Sequence, residues 1–300
     1  MLSTLCKKME KQFFHWCCEG LKNDIIFQSE EEFIFGMNRI AVCYLHCLNL
    51  GKHVQILAFC LLNNHFHFIL NGTEEDTALF MGHYRMLTAQ WISKHRGERL
   101  HGRMNLGHWM ATTNESLREK LIYNLRQALE AGLPVTPQGY PWCSAWLMFS
   151  YYSPLFSDLK KISEFSKRQV VKMVSSSINM PEDWLVLPNG MIWPECYTDI
   201  KAAEKIFRGA GDFLFMLNNS TVDKKTNLEM MPSRPSVPDL EVKDFARKIA
   251  KNIYGKTTIG KCSNIERMGI AKILRKELGC GHKQLARIIK MDEEDLRKLV

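Results

Sequence analysis

Residues Ile56–Gly72 read ILAFCLLNNHFHFILNG, two apolar runs separated by a pair of asparagines. The pattern predicts two strands, Val54–Leu62 and His65–Leu70, joined by a tight Asn63-Asn64 connection. Alternate side chains of a strand share a face, so His65 and His67 project together while Phe66 and Phe68 turn the opposite way, toward a core. Two imidazoles on one face are half of a metal site, because neutral imidazole is a common ligand. Ten histidines in 300 residues produce roughly 0.3 H-x-H pairs by chance. A second, independent feature is therefore needed.

Outward from this hairpin the chain alternates strands and helices. Residues 11–18, KQFFHWCC, suit a first strand. Residues 30–49 open with three acids, favourable at a helix N-terminus, and space Phe33, Met37, Ile40, Ala41, Tyr44 and Leu45 helically up to Gly51. Beyond the hairpin, a helix over about 75–95 carries Leu79, Phe80, Tyr84, Leu87 and Trp91 as its apolar stripe. A strand near 108–112 follows, then a helix capped near Asn114 and stopped by Gly132 with Pro134 behind it. This order predicts an α+β unit with an antiparallel sheet and helices on one face. Residues 138–146, QGYPWCSAW, read as a closing loop packed by aromatics.

Residues 151–216 contain helical patterns over 162–177 and 199–208 around WLVLPNGMIWPE, whose Pro188-Asn189-Gly190 reads as a turn between short strands. Residues 217–240, with NNST and PSRPSVP, have the composition of a linker. From 241 onward, helices are predicted over about 241–254, 263–278, 282–290 and 292–299.

Composition is that of a globular chain, 46% hydrophobic and 24% charged. No apolar run reaches the length of a membrane span, and MLSTLCKKMEKQ lacks the apolar core of a secretory signal. The ten cysteines include no C-x-x-C pair, which argues against a zinc ribbon or a disulfide framework and for buried thiols in a reducing cytoplasm. The net charge of +8 is concentrated at one end: residues 241–300 hold 15 Lys and Arg against 8 Asp and Glu, the first 240 residues 25 against 24. A basic segment on a near-neutral body points to an anionic partner, nucleic acid foremost, or to a solvated helical surface.

The second feature is Tyr123, with Gln127 one turn later on the same helix face. Tyr123 is either a core tyrosine with a wetted hydroxyl or a nucleophile beside a metal. A phenol, with a pKa near 10, is a poor nucleophile unless its electrophile is strongly polarised. A divalent ion on a phosphate oxygen does that.

NNHFHF after an apolar strand, a helix carrying YNLRQALEAG about 55 residues on, and then GYPWCSAW together resemble the single-tyrosine transposases of the HUH superfamily, in particular the REP-associated branch. The similarity covers roughly residues 10–150. It implies a ferredoxin-like sheet, a divalent metal (Mg²⁺ or Mn²⁺) on His65, His67 and Gln127, and attack by Tyr123 on single-stranded or hairpin DNA. The products implied are a covalent 5′-phosphotyrosine and a 3′-hydroxyl. Tyr123, Ala131 and Gly132 fit the spacing of Y-I-x-x-N-P-x-x-A-G, and Tyr140, Pro141, Trp142 and Ser144 match Y-P-W-S-S, with Cys143 substituted. The chain departs from the family where M-P-N-H is Leu62-Asn63-Asn64-His65, where N-P is Gln127-Ala128, and where Glu19 replaces a basic residue in the opening strand.

A strand held for such chemistry needs basic and aromatic side chains along its path. Lys94, Arg96, Arg99 and Arg103 are the candidates, with Trp91 and Trp109 as stacking platforms at either end. His83, His95, His101 and His108 form a rival metal set of irregular spacing. In the C-terminal segment KQLARII, a turn at 290–292 and EEDLRKLV suggest a helix-turn-helix, with Leu285, Ala286, Ile289, Leu296 and Leu299 as its core. Its last helix opens with Asp292, Glu293, Glu294 and Asp295, which repel phosphate, so the DNA contacts fall to Lys272, Arg275, Lys276, Lys283 and Arg287. A protein-interaction bundle is the alternative for this segment. For the whole chain, the alternatives to a transposase are a domesticated DNA-binding regulator and a metal hydrolase that spares Tyr123. Both a monomer and a homodimer fit the sequence.

Overall fold

The two apolar runs flanking Asn63-Asn64 form the hairpin that the rest of the chain packs around. A computed structural model describes residues 12–18, 25–100, 104–150, 158–219 and 237–299. Strand β2 (Gln55–Leu61) and strand β3 (Phe66–Gly72) pair antiparallel, and the Leu62 amide donates to the His65 carbonyl at 2.8 Å across the two asparagines. β3 begins one residue after His65, which belongs to the turn. Strand β1 (Gln12–Cys18) lies between β3 and strand β4 (Leu106–Ala111), both antiparallel to it, so the sheet runs β2-β3-β1-β4. Helix α1 (Glu30–Asn49) joins β1 to β2, and helix α2 (Glu74–Arg96) joins β3 to β4. Ser29 and Thr73 cap the two helices, each side chain accepting from a first-turn amide.

The expectation of helices on one face is corrected. α1 and α2 cover one face, packing Met37, Ile40, Phe80 and Tyr84 on Phe14, Trp16, Phe66 and Phe68. Helix α3 (Asn114–Leu125) covers the other, with Leu117, Leu121, Ile122 and Leu125 on Leu57, Ala58, Cys60 and Ile69. The reason lies in the composition of β2 and β3, which is apolar on both parities and so has to be buried on both sides. A bulge between Ile56 and Ala58 turns both Leu57 and Ala58 toward α3.

The outer edge of β2 is closed by chain rather than left open to pairing. The Trp142 carbonyl accepts from the Leu61 amide at 2.8 Å, Ser144 Oγ from the Phe59 amide at 3.1 Å, and Tyr140 donates to the Leu61 carbonyl at 2.9 Å. Residues 158–219 share both cores instead of building a third. They include short strands β5 (Lys160–Lys161) and β6 (Leu185–Val186) and helices α5 (Lys167–Val174), α6 (Ile200–Glu204) and α7 (Ala210–Asn218). Asn38 and Arg39, buried in mid-α1, dock this segment: Asn38 donates to Gly190 O and accepts from the Ile192 amide, and Arg39 donates to Val174 O. The Pro188-Asn189-Gly190 turn forms as expected, with Gly190 at φ +85° and Leu187 N donating to Met191 O.

Helices α8 (Asp239–Tyr254), α9 (Asn264–Leu278), α10 (His282–Ile289) and α11 (Glu293–Leu299) enclose a separate core of Val242, Ile249, Leu274, Leu285, Ile289 and Leu296, into which Ile25 also packs. Leu299's side chain, Glu19 and linker residues 220–236 lie outside the described residues. Among the described residues no helix is long and apolar enough to cross a membrane. Most described cysteines are buried as expected, and burial raises the thiols of Cys43, Cys47, Cys60 and Cys280 above the ordinary range.

Candidate active site

β3 places His67 on the face that α3 covers, directly across from Cys17 on β1 and Cys60 on β2. His65 sits on the preceding turn, its ring edge-on to His67 at a centroid distance of 5.0 Å. Asn64 orients it: Asn64 Oδ1 lies 2.8 Å from His65 Nδ1, and an amide oxygen only accepts, so the Nδ1 carries the proton. α3 then brings Tyr123 over the pair, edge-on to His67 at 5.9 Å. Tyr123 keeps 40% of its surface exposed, so it is not the core tyrosine of the alternative reading.

Two further residues complete the arrangement. The first is His15 of β1, whose Nε2 lies 3.0 Å from His67 Nδ1 and whose ring stands edge-on to Tyr123 at 5.6 Å. The second is Lys120, with Nζ 5.4 Å from the Tyr123 ring and 4.9 Å from the ring of Trp109. Trp109 is opposite His15 in the β1–β4 register, hence on the same face, and is 38% exposed. Sequence reasoning missed His15, Asn64 and Lys120. His15 carried a usable signal, since on a strand antiparallel to β3 its parity decides whether it joins the pair. The register that settles the parity is a tertiary fact.

The helix expected to run unbroken to Gly132 pauses at Arg126, after which a single turn, α4 (Gln127–Glu130), follows. Gln127 stays in the site. It is buried, its Nε2 donates to the Tyr123 carbonyl at 3.0 Å, and its side chain neighbours the His65 ring. Thr113, not Asn114, caps α3, with Ser116 closing a reciprocal box.

Burial sets the charge of the cluster. It lowers His15 to about 4, helped by the Lys120 charge, and lowers His65 to about 4 against the opposing Gln127 hydrogen bond. His67 is pushed well below the usual range by burial and by its two neighbouring imidazoles. All three are therefore neutral near pH 7, the form in which imidazole binds a metal. Each of His65 and His67 has its Nδ1 engaged by a neighbour, the usual outer-shell pattern of a metal-binding histidine. His67 Nε2 is buried with no hydrogen-bond partner, which costs about 1–3 kcal/mol. Two neutral imidazoles and a carboxamide oxygen are a donor set able to ligate a divalent ion. Among the described residues no group of three or more His, Cys, Asp and Glu is spaced to hold a metal by itself.

Trp91 and Arg96 are not brought to this face. Trp91 lies on α2, on the other side of the sheet, stacked between Phe35 at 4.3 Å and His95 at 4.2 Å, which corrects its reading as a platform for bases. Arg96 is also structural, bonded to Glu32 at 3.2 Å and to the Ile25 carbonyl at 2.9 Å. Lys94 and Arg99 are exposed near the end of α2, and Arg103 lies outside the described residues. The rival histidines scatter: His83 meets His46, His95 meets Trp91, His108 meets Trp16 and Glu74, and His101 is outside the described residues.

In the C-terminal unit Lys272, Arg275, Lys276 and Lys283 are exposed, with Arg275 against His282. Arg287 is instead half-buried in an ion pair with the buried Asp239, and its charge adds to the lowering of His65. Comparison with protein-family models, curated proteins and solved structures finds no match for this chain.

Proposed function

We propose that this chain is a metal-dependent DNA strand transferase that nicks and joins single strands through Tyr123. One observation carries the reading: an exposed tyrosine, two Nδ1-anchored neutral histidines and a glutamine from three separate elements meet on one face. A hydrolase that spared Tyr123 would have no need of the phenol there, and a purely DNA-binding protein no need of the buried imidazoles. His65, His67 and Gln127 would hold the divalent metal, Mg²⁺ or Mn²⁺, whose Lewis acidity polarises a phosphate oxygen.

The rest of the chemistry belongs to the chain. Tyr123 Oη attacks the phosphorus, the P–O3′ bond breaks, the phenol loses its proton and the departing 3′ oxygen gains one. The product is a 5′-phosphotyrosine. Lys120 would meet the phosphate charge, and Trp109 offers a base a stacking surface beside the nucleophile. Rejoining reverses the step, with a 3′-hydroxyl attacking the phosphotyrosine and Tyr123 leaving.

The same reading takes the β-α-β-β-α-β order with its 2-3-1-4 sheet as a ferredoxin-like unit. It takes α10 and α11 as the helix-turn-helix pair of an accessory DNA-binding domain, with Lys272, Arg275, Lys276 and Lys283 as its phosphate contacts. The test is incubation with Mn²⁺ and labelled single-stranded hairpin DNA, followed by denaturing electrophoresis. A protein–DNA adduct stable to SDS is expected from the wild type and none from Tyr123→Phe. An equal adduct from Tyr123→Phe, or none from the wild type, defeats the tyrosine mechanism.

A further inference from the structure

We infer that His15 is the positioning residue of this site, accepting the Nδ1 proton of His67 and so leaving His67 Nε2 as a lone pair for the metal. The inference rests on the metal reading above and adds a third histidine to it. His15 stands opposite Ile69 in the β1–β3 register, two residues along from the Cys17–His67 pair, so it is the diagonal neighbour of His67 on the same face. The two ring planes are within 2° of parallel, and Nε2 of one lies 3.0 Å from Nδ1 of the other. Both rings are buried, so no water competes for this bond.

Two proton arrangements are open to such a pair. If His15 donates, His67 carries its proton on Nε2, a buried N–H with no acceptor. If His67 donates, its Nε2 is a buried lone pair, which is the form a cation takes up. His65 already has the second arrangement, because Asn64 Oδ1 only accepts from its Nδ1. With His67 donating as well, both imidazoles carry the proton on Nδ1 and keep the Nε2 lone pair that a metal needs. β1 is one of the two inner strands of the sheet, which gives the acceptor a rigid mount.

Outer-shell partners of metal-binding histidines are worth about 10–100-fold in metal affinity. Mn²⁺ binding read by electron paramagnetic resonance should weaken by about that factor in His15→Phe, which keeps a buried ring but no acceptor. His15→Gln, which can still accept, should restore affinity to within a few-fold of wild type. A His15→Phe protein that binds Mn²⁺ as the wild type does overturns the role of His15 while leaving the metal reading intact. Wild-type protein that binds no Mn²⁺ overturns both. Independently of any variant's folding, ¹⁵N NMR of the wild type should show His67 protonated at Nδ1, and protonation at Nε2 overturns the proposal.

Discussion

His15, His65 and His67 stay neutral because the fold denies their charged forms water, and this has a measurable consequence. Each imidazole titrates near 6.5 in an unfolded chain, whereas burial holds His15 and His65 at about 4 and His67 lower still. As pH falls, the unfolded chain takes up protons first, so the stability these groups contribute is complete above 6.5. It is then lost progressively down to about pH 4. The thermal midpoint should be flat above about pH 7 and fall between 6.5 and 4, and a midpoint constant down to about pH 4.5 would show that the rings are not buried as described. Lys120 is the other informative residue. Placed between Trp109 and Tyr123, it should contact one phosphate of a bound strand. In a salt titration of single-stranded DNA binding, Lys120→Ala should reduce the slope of log K against log salt by about 0.7; an unchanged slope removes Lys120 from the path. His65, His67, Tyr123 and Gln127 were legible because each has a spacing partner in the sequence. Lys120 was not, since one lysine on a helix of mixed charge carries no period of its own.

At the scale of elements, α1 shows how a helix former can lose to packing. Gly36 lies in its middle, where alanine would ordinarily add about 1 kcal/mol of helix stability. A Cβ there would stand 2.6 Å from Phe27 Cε1 and 3.2 Å from Leu61 Cδ1, both buried. Gly36→Ala should therefore destabilise by about 1–3 kcal/mol, read as a lower urea midpoint, and a raised midpoint would mean that Phe27 has room to move. The long helices were legible almost to the residue, because the acidic first turn of α1 and the apolar periodicity of both α1 and α2 are local signals. The pause of α3 at Arg126 was not. Nothing in LIYNLRQALEAG marks a break, and it takes the Gln127 amide on the Tyr123 carbonyl to make one. The short helices of residues 158–219 were only approximate for a related reason, since they are held by docking onto α1 and β2 rather than by their own period.

At the scale of the molecule, the C-terminal helices take Ile25 of the sheet unit into their core and are tied to one another through Asp239. Asp239 is buried and bonded to both Gln284 and Arg287. Asp239→Ala leaves Arg287 half-buried without its anion, at a cost of about 3 kcal/mol. Hydrogen exchange should then rise across residues 239–299 while α1 and β3 stay protected; uniform protection throughout would show the pair to be dispensable. Residues Ile56–Gly72 and the segments around them determined by themselves that a hairpin would form, that His65 and His67 would share a face, and that helices would flank it. They did so because periodicity, caps and turns are local, and local terms can be read along a chain. The tertiary structure alone decided that both faces of the sheet are covered, that Trp91 and Arg96 serve the core and that Arg287 answers Asp239. It also decided that His15, fifty-two residues before His67, ends 3.0 Å from its Nδ1. Strand order and register fix which distant residues become neighbours, and those follow from how the apolar surface is buried as a whole.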